Sequence, residues 1–322
     1  MTKKKYICWF KDLNSENVAL VGGKNASLGE MIHSLKDEGV SVPDGFATTA
    51  EAYWQFVEHN DLKEQIQSQI QVWKNKEKSL EKVGKAIRRL FYQAEFPQEI
   101  DRLIRQAYKK LSQKYDTEEV DIAARSSATA EDLPEASFAG QQETFLNVTG
   151  EEEVLEACRK CYASLFTNRA IAYREEKGFD HLQVALSVGI QKMIRSDVAS
   201  AGVMFSIDTE TGFPNAVIIT AAWGLGENVV QGTVNPDQYT VFKPLLQPVE
   251  TFHETSVQPI IGKTKGSKEK KMVYATEESS TTKNIKTSKK ERQAFVLSDQ
   301  EILQLAKWAV AIESHYGTPM DL

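Results

Sequence analysis

Val120-Asp-Ile-Ala-Ala-Arg125 is the stretch on which the fold turns. It is short, apolar, closed by an arginine and followed by a loop of small residues, so it reads as a strand. Thr144–Val148 follows as a second strand. Upstream the texture is helical. Leu28, Met31, Ile32 and Leu35 recur at helical spacing behind Ser27, a candidate N-cap, and Gly39 stands where a C-cap glycine belongs. Thr48 or Thr49 opens a helix running to about His59. Helical periodicity then covers about 61–73, 79–93 and 98–115, the last with a stripe of Ile100, Leu103, Ile104, Ala107, Tyr108 and Leu111.

Downstream, one long helix is expected over 151–176, with Val154, Leu155, Cys158, Cys161 and Leu165 inward. From 183 the chain turns β-rich, with strands expected at 183–194, 201–207, 215–222 and 238–243 between Gly, Pro, Asp and Asn turns. Residues 262–292 are polar and lysine-rich. Apart from a short strand at Met272–Ala275 they read as solvated loop. Ser298-Asp-Gln-Glu301 is a capping box for a final helix ending near Tyr316-Gly317. Helices first, then antiparallel strands, then a helix give an α+β class rather than alternating βαβ units.

The 322 residues carry a formal net charge of -6, a hydrophobic fraction of 41% and a charged fraction of 26%, ordinary for a globular chain. The acidic balance argues against a nucleic-acid partner, whose binders are usually basic, while a single nucleotide needs only a few local cations and amides. Three cysteines in so long a chain build no disulfide framework, and the N-terminus lacks a secretory apolar core, so a cytoplasmic setting is expected. No run of 18 apolar residues suggests a membrane span.

Several segments carry chemistry. Val21-Gly-Gly-Lys24 sets two glycines and a cation at a helix entry, where a backbone can approach a phosphate; the spacing is not that of a Walker A loop. Arg125 offers a planar fork for phosphate oxygens at a strand end. Ser137–Thr144, with Gly140, is a small-residue loop able to fold over a ligand, though an ordinary hairpin would look alike. Gln191-Lys-Met193 ends an apolar strand whose backbone, if free, could pair with an adenine edge. Glu227, after the turn Trp223-Gly-Leu-Gly, could meet Mg2+ or a ribose hydroxyl. Cys158-Arg-Lys-Cys161 is a lone C-x-x-C inside an amphipathic helix, read as core.

Together and in order, VGGKNASLGEM, VPDGFATTAEAY, ARSSATAEDLPEASFAGQQETFLNV, QKMIRSDVASAGVMFSIDTETGF and WGLGENVVQGTVNPD resemble the ATP-binding region of the phosphoenolpyruvate synthase (pyruvate, water dikinase) family. The resemblance runs from Trp9 to Asp321. It implies an ATP-grasp-like module in three parts, 1–116 helical, 117–195 with the phosphate loop and adenine hinge, and 196–322 β-rich. It assigns Lys24 and Arg125 to ATP phosphates, Gly140 and Thr144 to the covering loop, Gln191 and Met193 to the adenine hinge, and Glu227 to a nucleotide or metal contact. ATP and Mg2+ are the implied ligands, with a phosphohistidine domain and a pyruvate domain as partners. Family members continue past this point with a strand bearing an acidic metal ligand, so a C-terminally truncated module is expected, with Asp321 the remaining acidic candidate at that edge. A rifampicin phosphotransferase-like enzyme and a non-catalytic nucleotide-binding partner are the alternatives.

Overall fold

The computed structural model describes residues 5–129, 143–246, 258–275 and 281–322. The chain forms two compact units, one of residues 1–33 and 41–193, the other of 34–40 and 194–322.

The first unit is built on β1 (Ile7–Trp9), α1 (Val18–Ser34), β2 (Gly45–Thr48), α2 (Ala50–His59), α3 (Leu62–Lys74), α4 (Leu80–Gln93), α5 (Gln98–Lys114), β3 (Ile122–Ala128), β4 (Thr144–Val148), α6 (Glu151–Ser164), α7 (Asn168–Glu176) and β5 (Leu186–Lys192). The strands make one antiparallel sheet in the order β1-β2-β5-β3-β4. Alternation sorts its two faces. Phe46, Ile122, Ala124, Val188 and Ile190 enter the large core shared with α2 to α6. Cys8 and Ala47 face the other way, into a smaller cluster with Val21 and Ala26 of α1.

Local signals account for the helix starts. Thr49, Ser79 and Thr167 each accept an amide three residues on. Two expectations are corrected here. Ser27 does not start a helix. Asn14 and Asn17 cap each other reciprocally, the chain turns helical from there into α1, and Gly22 kinks that helix at φ 75°. The helix expected over 151–176 is two. It breaks at Leu165–Thr167, where Thr167 caps α7 and the Phe166 carbonyl leaves the helix to accept from Arg88 at 2.7 Å.

The second unit has an antiparallel sheet of β6 (Ser200–Phe205), β7 (Ala216–Trp223), β8 (Asp237–Phe242) and β9 (Ile260–Thr264). A short helix α8 (Glu227–Val230) lies between β7 and β8. A two-stranded ribbon, β10 (Lys270–Tyr274) with β11 (Thr282–Lys286), precedes α9 (Lys289–Gln293) and α10 (Asp299–Tyr316). Ile302, Ala306 and Ala309 of α10 pack on Val217, Ile219 and Val241 of the sheet. The Ser298–Glu301 capping box is formed in both directions, and Gly317 closes the helix at φ 68°. The loop expected over 262–292 is largely ordered as β9 to α9. Three of its lysines are anchored: Lys263 bonds Asp299 and Lys271 bonds Glu291, each at 2.5 Å, and Lys268 is fully buried on Asp237, while Lys283, Lys286, Lys289 and Lys290 are exposed as expected. Lys263 and Lys265 also lie over the Phe295 ring, at 4.8 and 4.7 Å.

Candidate functional site

Six of the candidate residues belong to the first unit, and five of them are among the described residues. Arg125 on β3 stands in register with Thr144 on β4 and with Gly189 on β5, and Ala123 pairs with Gln191. Directly opposed residues share a face. Arg125, Thr144 and Gln191 are thus on the α1 side of the sheet, away from the large helical core. Arg125 and Thr144 are exposed.

Lys24 lies on α1, two residues after the Gly22 kink, and is exposed among buried neighbours. Gly22 is seated against β3. A Cβ there would stand 2.7 Å from the Ser127 carbonyl oxygen and closer still to the Ser127 hydroxyl. That hydroxyl is buried and has no hydrogen-bond partner among the described residues. Asn25, 2% exposed, donates from Nδ2 to Val21 O at 3.0 Å and to Ser187 Oγ at 2.9 Å. The helix entry carrying Lys24 is in this way held onto the strand that carries Arg125 and onto its neighbour.

The backbone at Gln191 is not a free edge. β5 has β2 on one side and β3 on the other, and Gln191 pairs with Gly45 and with Ala123. Its side chain is buried, donating to Pro43 O at 3.1 Å, and the Met193 amide donates to Asp121 O at 3.0 Å. The third and central place of β5 in the sheet, set by long-range pairing, removes the free edge that the sequence suggested. Met193 is the last residue of the first unit. Gly140 lies outside the described residues.

Glu227 and Asp321 belong to the second unit. Gly224 takes φ 86° and abuts β10, where a Cβ would sit 2.5 Å from Met272 O, so the turn before Glu227 admits only glycine there. Glu227 opens α8, and its Oε1 accepts from Gln231 at 2.6 Å. Asp321 bridges to Phe205 at the end of β6. Among the described residues no three His, Cys, Asp or Glu side chains converge as a metal-holding group.

Cys158 and Cys161 are fully buried free thiols in the helical core, and burial pushes the Cys158 thiol up to about 12. They are packing residues, as expected. Sequence reasoning missed Asn25, Ser127, Ser187 and Gly189. Asn25 followed the quoted Gly-Gly-Lys, but nothing local marks its reach to residue 187. No helix among the described residues is long and apolar enough to cross a membrane.

The first unit is thus an α+β unit that presents a cationic, hydroxyl-bearing sheet face under a glycine-kinked helix. Residues 18–322 match the family described as pyruvate phosphate dikinase, AMP/ATP-binding domain, and the chain belongs to it. It is 54% identical to a phosphoenolpyruvate synthase of Helicobacter pylori over 99% of its length. It is 53% identical to a phosphoenolpyruvate synthase of Synechocystis over 98%, and 50% identical to one of Escherichia coli over 98%. The chain spans 39% of the length of each of these relatives.

Proposed function

We propose that the chain is the ATP-binding part of a phosphoenolpyruvate synthase, with Lys24, Arg125 and Thr144 turned to the phosphates. The observation that carries this is the common face of Arg125 and Thr144 beneath the helix that bears Lys24. Two cations on a rigid scaffold suit a polyphosphate. The guanidinium can grip two oxygens as a fork and the ammonium acts as a point charge. Gly140 belongs to the loop that covers the phosphates. Gln191 and Met193 flank the adenine end, where an edge of the base meets the chain beyond the paired part of β5. Glu227 is the carboxylate proposed for a nucleotide or metal contact. Within the proposed division into 1–116, 117–195 and 196–322, most of these residues lie in the middle part.

Mg2+, when bound with ATP, would neutralise phosphate charge, with Glu227 and Asp321 as the oxygen donors proposed on this chain. In the whole enzyme we propose that the β-phosphoryl of ATP passes to a histidine on a separate domain as AMP leaves, that water takes the γ-phosphoryl and releases it as phosphate, and that the histidine-borne phosphoryl group then passes to pyruvate. The names of the relatives favour pyruvate over an antibiotic as final acceptor. We place this work in the cytoplasm and in gluconeogenesis, and the nucleotide fold in the ATP-grasp group.

The test is a calorimetric titration of the chain with ATP, with and without Mg2+. Saturable binding that is lost in Arg125→Ala supports the reading. Saturable binding unchanged in both Arg125→Ala and Lys24→Ala removes the phosphate assignment.

A further inference from the structure

We infer that Asn25 is a positioning residue that fixes the turn carrying Lys24 on the sheet face that carries Arg125, so that the two cations are offered to a polyphosphate from one preformed scaffold. The inference rests on the ATP-binding reading above and names a residue which that reading does not use.

The geometry begins at the kink. Lys24 follows Gly22 and Gly23, the two least restrained backbone positions available. Left to themselves they would let the Lys24 backbone wander, and a lysine side chain adds its own rotamers. Two contacts remove that freedom. Before Lys24, Gly22 is seated against Ser127 on β3. After it, Asn25 is tied to β5 through Ser187 Oγ, while its second Nδ2 bond returns to Val21 O and closes the turn.

The anchor under Asn25 is itself held. Ser187 Oγ donates to Thr48 O at 2.6 Å. Thr48 Oγ1 in turn accepts from the Val188 amide at 3.0 Å and from the Tyr162 hydroxyl at 3.2 Å. The chain of bonds therefore runs from the α1 face through the sheet to α6, in a region where every member is buried. Gly189 completes the seat, because a Cβ there would land on Asn25 Oδ1. Gly189 is also the residue in register with Arg125. The amide that locks the Lys24 turn thus sits against the strand position beside Arg125.

Preorganised cations lose less freedom when the ligand arrives, which is how a buried amide with no ligand contact can raise affinity. Asn25 is assigned no contact with nucleotide.

Three substitutions dislodge the same side chain by different routes: Asn25→Ala removes it, Ser187→Ala removes its anchor, and Gly189→Ala fills its seat. Each variant is titrated with ATP by calorimetry, alone and combined with Lys24→Ala, and its cooperative unfolding in urea is recorded. The expected result is that Asn25→Ala and Ser187→Ala each weaken ATP binding about 10-fold in the wild-type background, the scale of one lost buried polar interaction, and less than about twofold once Lys24 is gone. A merely structural role would weaken binding equally in both backgrounds, and that result overturns the inference. So does unchanged ATP affinity in folded Ser187→Ala and Asn25→Ala. ATP binding by the wild-type chain that survives Lys24→Ala undiminished sinks the phosphate reading and this inference together. Survival in the Asn25 and Ser187 variants alone sinks only the inference.

Discussion

The Lys268 ammonium bonds the Asp237 carboxylate with both side chains fully excluded from solvent. Asp237 spends its remaining capacity on the Gly266 amide at 2.9 Å, the Val296 amide at 2.8 Å and the Tyr239 hydroxyl at 3.2 Å. It ties β8 to the segment before β10 and to the entry of α10. An Asp237→Ala change strands one buried cation and two backbone donors. We expect it to cost about 3–5 kcal/mol, the range for breaking a buried pair from one side. Lys268→Met should cost less, because Asp237 keeps three donors. Urea unfolding of the two variants checks the order, and equal losses would refute it.

Lys24→Ala and Arg125→Ala are each expected to weaken ATP binding by roughly 1.5–3 kcal/mol, the scale of hydrogen bonds to charged groups. Their effects should not add, since both cations meet the same phosphates. Titration calorimetry on the single and double variants measures this, and strict additivity would place the two residues at separate sites.

Gly22→Ala should destabilise the first unit by about 1–3 kcal/mol through its left-handed φ alone, with the Ser127 contact adding to it. Denaturant midpoints report the loss. Gly212→Ala, at a similar φ of 74° but with nothing within 4 Å of the added methyl, separates strain from clash by showing the smaller loss.

His181 carries the pH dependence. Its Nδ1 accepts from Arg174 Nε at 3.2 Å and its Nε2 faces Glu175 at 3.1 Å, so the neutral ring is the bound form. Burial, then the Arg174 guanidinium, holds its pKa below the ordinary value, against the opposing pull of Glu175; Lys74 adds a weaker push in the same direction as Arg174. Burial also holds Arg174 itself down, to about 10. The folded value is depressed, so the unfolded chain takes up the proton first. The stabilisation is present above about pH 6.5 and is lost as pH falls through the lower folded value. Thermal unfolding at pH 7.5 and pH 5.0 should show a larger drop for the wild type than for His181→Gln. An identical drop would exclude His181 as the source.

Cys158 and Cys161 should be silent to a thiol reagent in the native protein and react only on unfolding, since burial raises both thiols. Cys158→Ala should leave ATP affinity unchanged. Rapid native labelling, or a large affinity loss, would contradict their placement in the core.

The sequence by itself determined the elements whose signals are local. Of the expected stripe on α5, Ile100, Ile104, Ala107, Tyr108 and Leu111 are buried while Leu103 is half-buried, Thr144–Val148 is β4 to the residue, and the Ser298 capping box starts α10. It also contained the motifs by which the family is known, because those are runs of contiguous residues. The tertiary structure alone decided what depends on pairing between distant segments. Nothing near Gln191 says that β5 is flanked by β2 and β3, and nothing near Asn25 points to Ser187, 162 residues on. Lysine hid β9 to β11, because its long stem can line a folded surface while its charge reads as solvent-facing. Only the partners that the fold delivers, Asp237 to Lys268, Glu291 to Lys271 and the Phe295 ring to Lys263 and Lys265, turn that polar run into structure.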